Sequence, residues 1–185
     1  MMTLAEAEAL VTTIPERRAA HCRRVGDTAA GFAPRWPVAP DKVRLAGLLH
    51  DFCRDWSDAR IMAAAKLQGL EPSPLELANP AKLLHGPVAA GELADRDLPS
   101  DVLEAISIHT CGGAGMSPLA RCVYLADFCE PGREYADATA VRELAATSLD
   151  EALGLSVRLR LQNLLSRGRT LMQGTVDLYN ETHSQ

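Results

Sequence analysis

Apolar residues recur along most of the chain at three- and four-residue intervals, and the rhythm breaks at capping residues, prolines and glycines. Thr13-Ile14-Pro15-Glu16 reads as a cap with proline near the first turn and opens a helix over about 16–31. Residues 33–40 carry Pro34, Pro37 and Pro40 and form a loop, after which Asp41 caps the next helix. Ser57-Asp58 opens another, closed by Gly69, and Pro72 and Pro74 bracket a turn. Asn79-Pro80 begins a short helix broken near Gly86-Pro87. Ser100 caps a helix from Asp101 to about Thr110, which runs into the glycine-rich loop 111–115. Ser117-Pro118 starts a helix that ends before Pro131. Further helices are expected around 137–146, over 149–167 closed by Gly168, and over 170–180. No alternating apolar and polar stretch is long enough for a strand. The pattern predicts an all-α, single-domain helical bundle over 1–185, with its core at about 16–180.

One segment departs from amphipathic patterning. Val43-Arg44-Leu45-Ala46-Gly47-Leu48-Leu49-His50-Asp51-Phe52-Cys53 carries apolar side chains on every side and is expected to be a helix buried all round. His50 and Asp51 interrupt it. A carboxylate withdrawn from water without compensation costs several kcal/mol, and an unpaired imidazole costs less. A metal ion satisfies both groups at once, since each has a lone pair to give.

Asp127 is a second such group: it shares a helical face with Val123 and Tyr124, on a stripe that faces the core. Its bland reading is a cap or an arginine partner. His21 shares a face with Arg18 and Val25; His85 lies in Leu83-Leu84-His85-Gly86 and His109 ends Ile106-Ser107-Ile108-His109. Each histidine taken singly reads as structural. Six nitrogen and oxygen donors in otherwise apolar segments are hard to explain as packing. His183, near the C-terminus, is expected to be solvated.

Composition narrows the chemistry. Aromatics are only 4% of the 185 residues, which favours helices over sheets. A net charge of −5, without a basic stripe, argues against nucleic acid as the main partner but leaves room for a phosphorylated small molecule. Cys22, Cys53, Cys111, Cys122 and Cys129 form no CxxC pair, so reduced thiols acting as small core fillers are expected. Met1 to Leu10 is acidic and amphipathic, and no apolar run approaches the length of a membrane span. A cytoplasmic protein without membrane partners is expected, and a homodimer is compatible. Imidazole and carboxylate donors suit Fe, Mn, Co or Zn, whereas unclustered cysteine argues against a thiolate site.

The order of these residues resembles the HD-domain metal phosphohydrolases, and more specifically the YqeK family of bacterial symmetrical bis(5′-nucleosyl)-tetraphosphatases. The matching pieces are Arg18-x-x-His21, Ala46-Gly47-Leu48-Leu49-His50-Asp51, Leu83-Leu84-His85-Gly86, Ala105-Ile106-x-x-His109-Thr110 and Tyr124-x-Ala126-Asp127-Phe128-x-Glu130-Pro131-x-Arg133. Thr175 and Tyr179-Asn180 fit as well, so the likeness spans about 18–180. Two positions depart from it: Arg54 stands where lysine is common, and Met172 stands near where a histidine is often found.

The resemblance implies a bundle of the HD-domain type in which His21, His50, Asp51 and Asp127 hold a divalent metal, iron first and Mn or Co as alternatives. Asp51, His85 and His109 are the implied catalytic residues. His85 and His109 would either contact phosphate and protonate the leaving group, or hold a second metal with Asp51 bridging. Arg18, Arg54, Thr110 and Arg133, with His21, His85, His109 and Asp127, would line the phosphates of the nucleotide. The implied reaction is attack of a metal-bound water on diadenosine tetraphosphate to give two ADP. Another nucleotide substrate (a nucleoside monophosphate, a deoxynucleoside triphosphate or an alarmone) and a non-catalytic nucleotide sensor are the alternatives.

Overall fold

Caps divide the chain much as their chemistry dictates. The computed structural model describes residues 1–184 and contains twelve helices among them, with no strand. They are α1 (Leu4–Val11), α2 (Glu16–Phe32), α3 (Pro40–Leu49), α4 (Asp58–Leu67), α5 (Pro74–Ala78) and α6 (Pro80–Leu83). There follow α7 (His85–Glu92), α8 (Ser100–Ile108), α9 (Pro118–Cys129), α10 (Ala136–Ala145), α11 (Leu149–Ser166) and α12 (Gln173–His183). Ser57 and Ser117 accept from backbone N–H groups three residues ahead, as expected of N-caps. Gly69 and Gly168, at φ of 68° and 59°, leave α4 and α11 through the left-handed region. No helix of the described residues is long and apolar enough to cross a membrane.

Several boundaries differ from expectation, each for a local reason. Asp41 does not cap α3: Pro40 takes the first helical position, Ala39 precedes it, and no side chain caps that end. Ser100 likewise lies inside α8, behind Pro99. The turn expected at 72–74 becomes the start of α5, because Ser73 and Glu76 form a reciprocal capping box with Pro74 between them. The short helix from Pro80 ends at Leu83, close to the break expected at Gly86-Pro87. The Gly86-Pro87 pair itself lies in the first turn of α7, where a missing N–H is harmless. The helix expected through Cys53 stops at Leu49. The chain continues in i→i+3 turns, with Phe52 N–H donating to Leu49 O (3.1 Å) and Arg54 N–H to Asp51 O (3.0 Å).

Helix α9 runs through the middle of the bundle, packed on α2, α3, α8, α10 and α11, with nine of its twelve residues buried from Leu119 to Cys129. Cys22, Cys53, Cys122 and Cys129 are buried and unpaired. Burial pushes the thiols of Cys53, Cys122 and Cys129 up to about 12, so they pack as small apolar groups. Two close helix approaches depend on missing side chains. A Cβ on Gly47 in α3 would sit 2.6 Å from Gly26 Cα in α2, and one on Gly86 in α7 would sit 2.7 Å from Ser107 O in α8. The first approach brings the end of α3 beside His21; the second brings His85 beside His109.

Gly47→Ala should therefore force α2 and α3 apart and lower the unfolding free energy by about 1–3 kcal/mol. Gly31→Ala, whose Cβ meets nothing in α2, should raise it by about 0.5–1 kcal/mol through helix propensity. Urea unfolding of the two variants measures both, and equal behaviour of the pair would refute the packing argument.

Candidate metal centre

Six side chains from five helices and their ends meet in one buried place. His21 comes from the middle of α2, His50 and Asp51 from the turns after α3, His85 from the start of α7, His109 from the end of α8 and Asp127 from the last turn of α9. The four histidines and Asp51 are all classed as buried. Asp51 is the hub. Its Oδ1 lies 3.2 Å from His85 Nε2 and 3.4 Å from His109 Nε2. Its Oδ2 lies 3.5 Å from His50 Nε2, 3.7 Å from His21 Nε2 and 2.6 Å from Arg18 Nη1. Asp127 Oδ1 completes the group at 3.1 Å from His21 Nε2 and 3.9 Å from His50 Nε2.

The imidazoles share one orientation, and the backbone sets it. His50 Nδ1 lies 2.7 Å from Gly47 O, His85 Nδ1 3.0 Å from Ala81 O and His109 Nδ1 2.8 Å from Ile106 O. A carbonyl only accepts, so each Nδ1 carries a hydrogen and donates it. These carbonyls lie in the last turns of α3, α6 and α8, where a helix leaves them without N–H partners. His21 reaches the same orientation through Glu130, whose Oε1 is 3.1 Å from its Nδ1. In the neutral rings all four Nε2 atoms then present lone pairs to the centre.

That arrangement calls for cations. The buried Nε2 atoms of His21 and His50 have no hydrogen-bond partner. His85 Nε2 and His109 Nε2 face each other at 3.0 Å, with Thr110 Oγ1 at 3.2 and 3.1 Å. Lone pairs aimed at one another in a buried site repel unless a proton or a metal ion lies between them. His21, His50 and Asp127 form one group of closely spaced donor atoms, and His50, Asp51 and His109 form another. Borderline imidazole and hard carboxylate donors fit a divalent first-row ion.

The electrostatics keep the donors available. Burial works against a charge on Asp51, yet His50, His109 and His85 outweigh it and hold the carboxyl well below the usual range. Asp127 is held low in the same way, by His21, His50 and Arg133 against burial. Burial lowers His50 to about 4 and lowers His85 as well, so both remain neutral near pH 7. His21 goes the other way: burial opposes its charge, but Asp127 and Glu130 raise its pKa.

Arginines surround the centre. Arg18 bridges Asp51 and Asp55 (3.0 Å), and Arg133 donates to Asp127 Oδ1 (2.8 Å) and to its backbone carbonyl (3.2 Å). Arg54 is turned toward Ala81 O at 3.4 Å and contacts none of the six donors. Two residues outside the expected set are built into the site. Glu130 is buried, orients His21 and is held by Arg24 Nε at 2.6 Å. Arg160 of α11 donates to Thr110 O and lies over the Tyr124 ring at 4.7 Å. Cavities of about 270 and 280 Å³ flank the centre, one bordered by Thr110 and Arg160, the other by Arg18, His21 and Arg133.

Residues 18–132 match the model of the HD domain. The chain belongs to the HD-domain family. A Bacillus subtilis protein named bis(5′-nucleosyl)-tetraphosphatase, symmetrical, is 32% identical over 173 residues, covering 90% of each chain. A Staphylococcus aureus protein of the same name is 32% identical over 171 residues, covering 90% of this chain and 87% of its own. A crystal structure from Clostridium acetobutylicum, described as a "predicted HD superfamily hydrolase involved in NAD metabolism", superposes with a TM-score of 0.90. It is 30% identical and covers 100% of this chain and 98% of its own. The stretch that matches the HD domain includes His50 and Asp51.

The neutral His50 gives the HD centre a pH signature. Its folded value of about 4 lies below the ordinary 6.5, so between these values the unfolded chain binds a proton that the folded chain refuses. Stability from this group is complete above 6.5 and is lost as the pH falls toward 4, by about 3 kcal/mol. His85 acts with the same sign; His21, raised, has the opposite one, and the two carboxylates lose their contribution only at lower pH. Urea unfolding of chelator-treated protein across this window should show the loss, and His50→Gln should flatten it. An unchanged slope in the variant would refute the assignment.

Proposed function

We propose that the protein is a symmetrical bis(5′-nucleosyl)-tetraphosphatase, which cleaves the central phosphoanhydride of diadenosine tetraphosphate with water to give two ADP. The observation that carries this reading is a buried cluster of four imidazoles and two carboxylates, fringed by arginines, in a chain 32% identical over 90% of its length to proteins of that name. His21, His50, Asp51 and Asp127 are the proposed ligands of a divalent ion, which we assign as iron. Asp51 Oδ1, His85 and His109 would hold a second cation; the facing Nε2 atoms 3.0 Å apart support it. Cations held by these residues would supply Lewis acidity, activating water for attack and neutralising phosphate charge.

The chain's own residues do the positioning. Arg18 and Arg133 keep further N–H groups for phosphate oxygens beside the ligand carboxylates that anchor them. Such fixed cations act where charge develops during phosphoryl transfer. Thr110 Oγ1 borders the His85–His109 pair and faces the cavity on that side. Arg54, although turned toward Ala81, lies close enough to help depress the pKa of His85 after burial has done most of it. We assign it to the outer phosphates. Glu130 fixes the His21 ring and is a positioning residue. The reading carries a cytoplasmic setting with it, and no nucleic-acid or membrane partner.

Chromatography of the products tests the reaction. ADP alone is expected, and ATP with AMP would overturn the scissile bond. Asp51→Asn should reduce turnover at least about 10³-fold, since it removes a charge from both cation positions. Metal quantification on protein purified without air should give two ions per chain, and His85→Ala should lower this by one. A stoichiometry unchanged in that variant would overturn the second position.

A further inference from the structure

The two cavities beside the centre are chemically unlike, although the proposed substrate has two identical ends. The cavity next to Thr110 has an apolar wall of Leu75, Leu83, Leu164 and Met172. Lys82, Arg160 and Arg169 line the same cavity, and no aspartate or glutamate does. None of these three cations has a carboxylate within ion-pair distance among the described residues. In a chain of net charge −5, that is a local excess of cations beside a greasy wall. It suits a nucleoside diphosphate, with the base on the wall and the phosphates on the cations.

The cavity on the other side has no such wall. Its lining is Arg17, Arg18, Arg24 and Arg133 with Asp55 and Glu130, and Pro15 is its one apolar side chain apart from the His21 ring. Arg17 is exposed and has no carboxylate partner among the described residues. Guanidinium forks recognise phosphate oxygens, and this lining offers no apolar wall to enclose a base.

We propose that the protein grips only one nucleoside of its substrate, in the Leu164 cavity, and holds the other half by its phosphates alone. It therefore also hydrolyses mononucleoside tetraphosphates. The inference rests on the proposed tetraphosphatase reading. In adenosine 5′-tetraphosphate the oxygen of water bonds to phosphorus and the β–γ bridging P–O bond breaks. ADP and pyrophosphate are the products, and the proton of water passes to solvent.

The experiment compares diadenosine tetraphosphate with adenosine 5′-tetraphosphate on the metal-loaded protein. The expected result is kcat/KM within tenfold for the two, with ADP and pyrophosphate as products of the second. A loss greater than tenfold, or release of ATP and phosphate, would overturn the inference while leaving the first reaction standing. Failure to make ADP from diadenosine tetraphosphate would instead remove the tetraphosphatase reading beneath it. Leu164→Asp, and Met172→Glu should the first variant not fold, should raise KM at least tenfold for both substrates at similar kcat. An effect confined to the dinucleotide, or none, would place the gripped nucleoside elsewhere and overturn it.

Discussion

Everything in the centre is arranged around the carboxylate of Asp51. Its two oxygens divide the site: Oδ1 faces His85 and His109, Oδ2 faces His50, His21 and Arg18. A carboxylate this deeply buried is tolerable only with its partners in place, and removing one partner of a buried charge typically costs about 3–5 kcal/mol. The same side chain that threatens the fold thus organises it, because the four imidazoles gathered round Asp51 each come from a different helix or helix end. The doublet sits in the turns after α3, where the helix has stopped and the side chains of consecutive residues can both turn inward.

Convergence also needs short distances between helices, and these come from residues that lack bulk. Gly26 against Gly47, and Gly86 against the Ser107 carbonyl, bring pairs of helices to within a distance that a single methyl would forbid. The histidines then need no long reach. Three of them lie at helix ends and bind back to carbonyls that the helices leave free, so the backbone that ends each helix also fixes the ring. Local structure and ligand geometry are one feature here.

Much of this was legible in the sequence, because a charged or imidazole group in apolar surroundings is conspicuous. His50, Asp51 and Asp127 stood out for that reason, and serine caps such as Ser57 and Ser117 marked helix starts correctly. What stayed hidden was tertiary. The apolar run past Leu49 has the same pattern whether it is helix or a set of i→i+3 turns, so the end of α3 did not show. Glu130, between a cysteine and a proline, looks like a solvated helix end; only the fold puts it beside His21 across 109 residues. Arg160 lies on a helix with many charged residues, and nothing local shows that it faces Thr110, 50 residues away. Arg54 sits at the right spacing after the doublet, yet its guanidinium turns to Ala81, because the turns after Leu49 change the face that a continued helix would present.

Charge explains how an acidic chain can serve a highly anionic ligand. The carboxylates near the centre are tied up: Asp51 and Asp55 by Arg18, Asp127 by Arg133, Glu130 by Arg24 and His21. Pairing cancels their outward field but leaves spare guanidinium N–H groups pointing at the cavity. On the far side, Arg160 is instead held by a backbone carbonyl and a ring face, which orient it without neutralising it. The net charge of the molecule is therefore a poor guide to its partner. What decides the ligand is where cationic N–H groups stay free, and beside this centre they line the two flanking cavities: Lys82, Arg160 and Arg169 on one side, Arg17 with the spare N–H groups of Arg18 and Arg133 on the other.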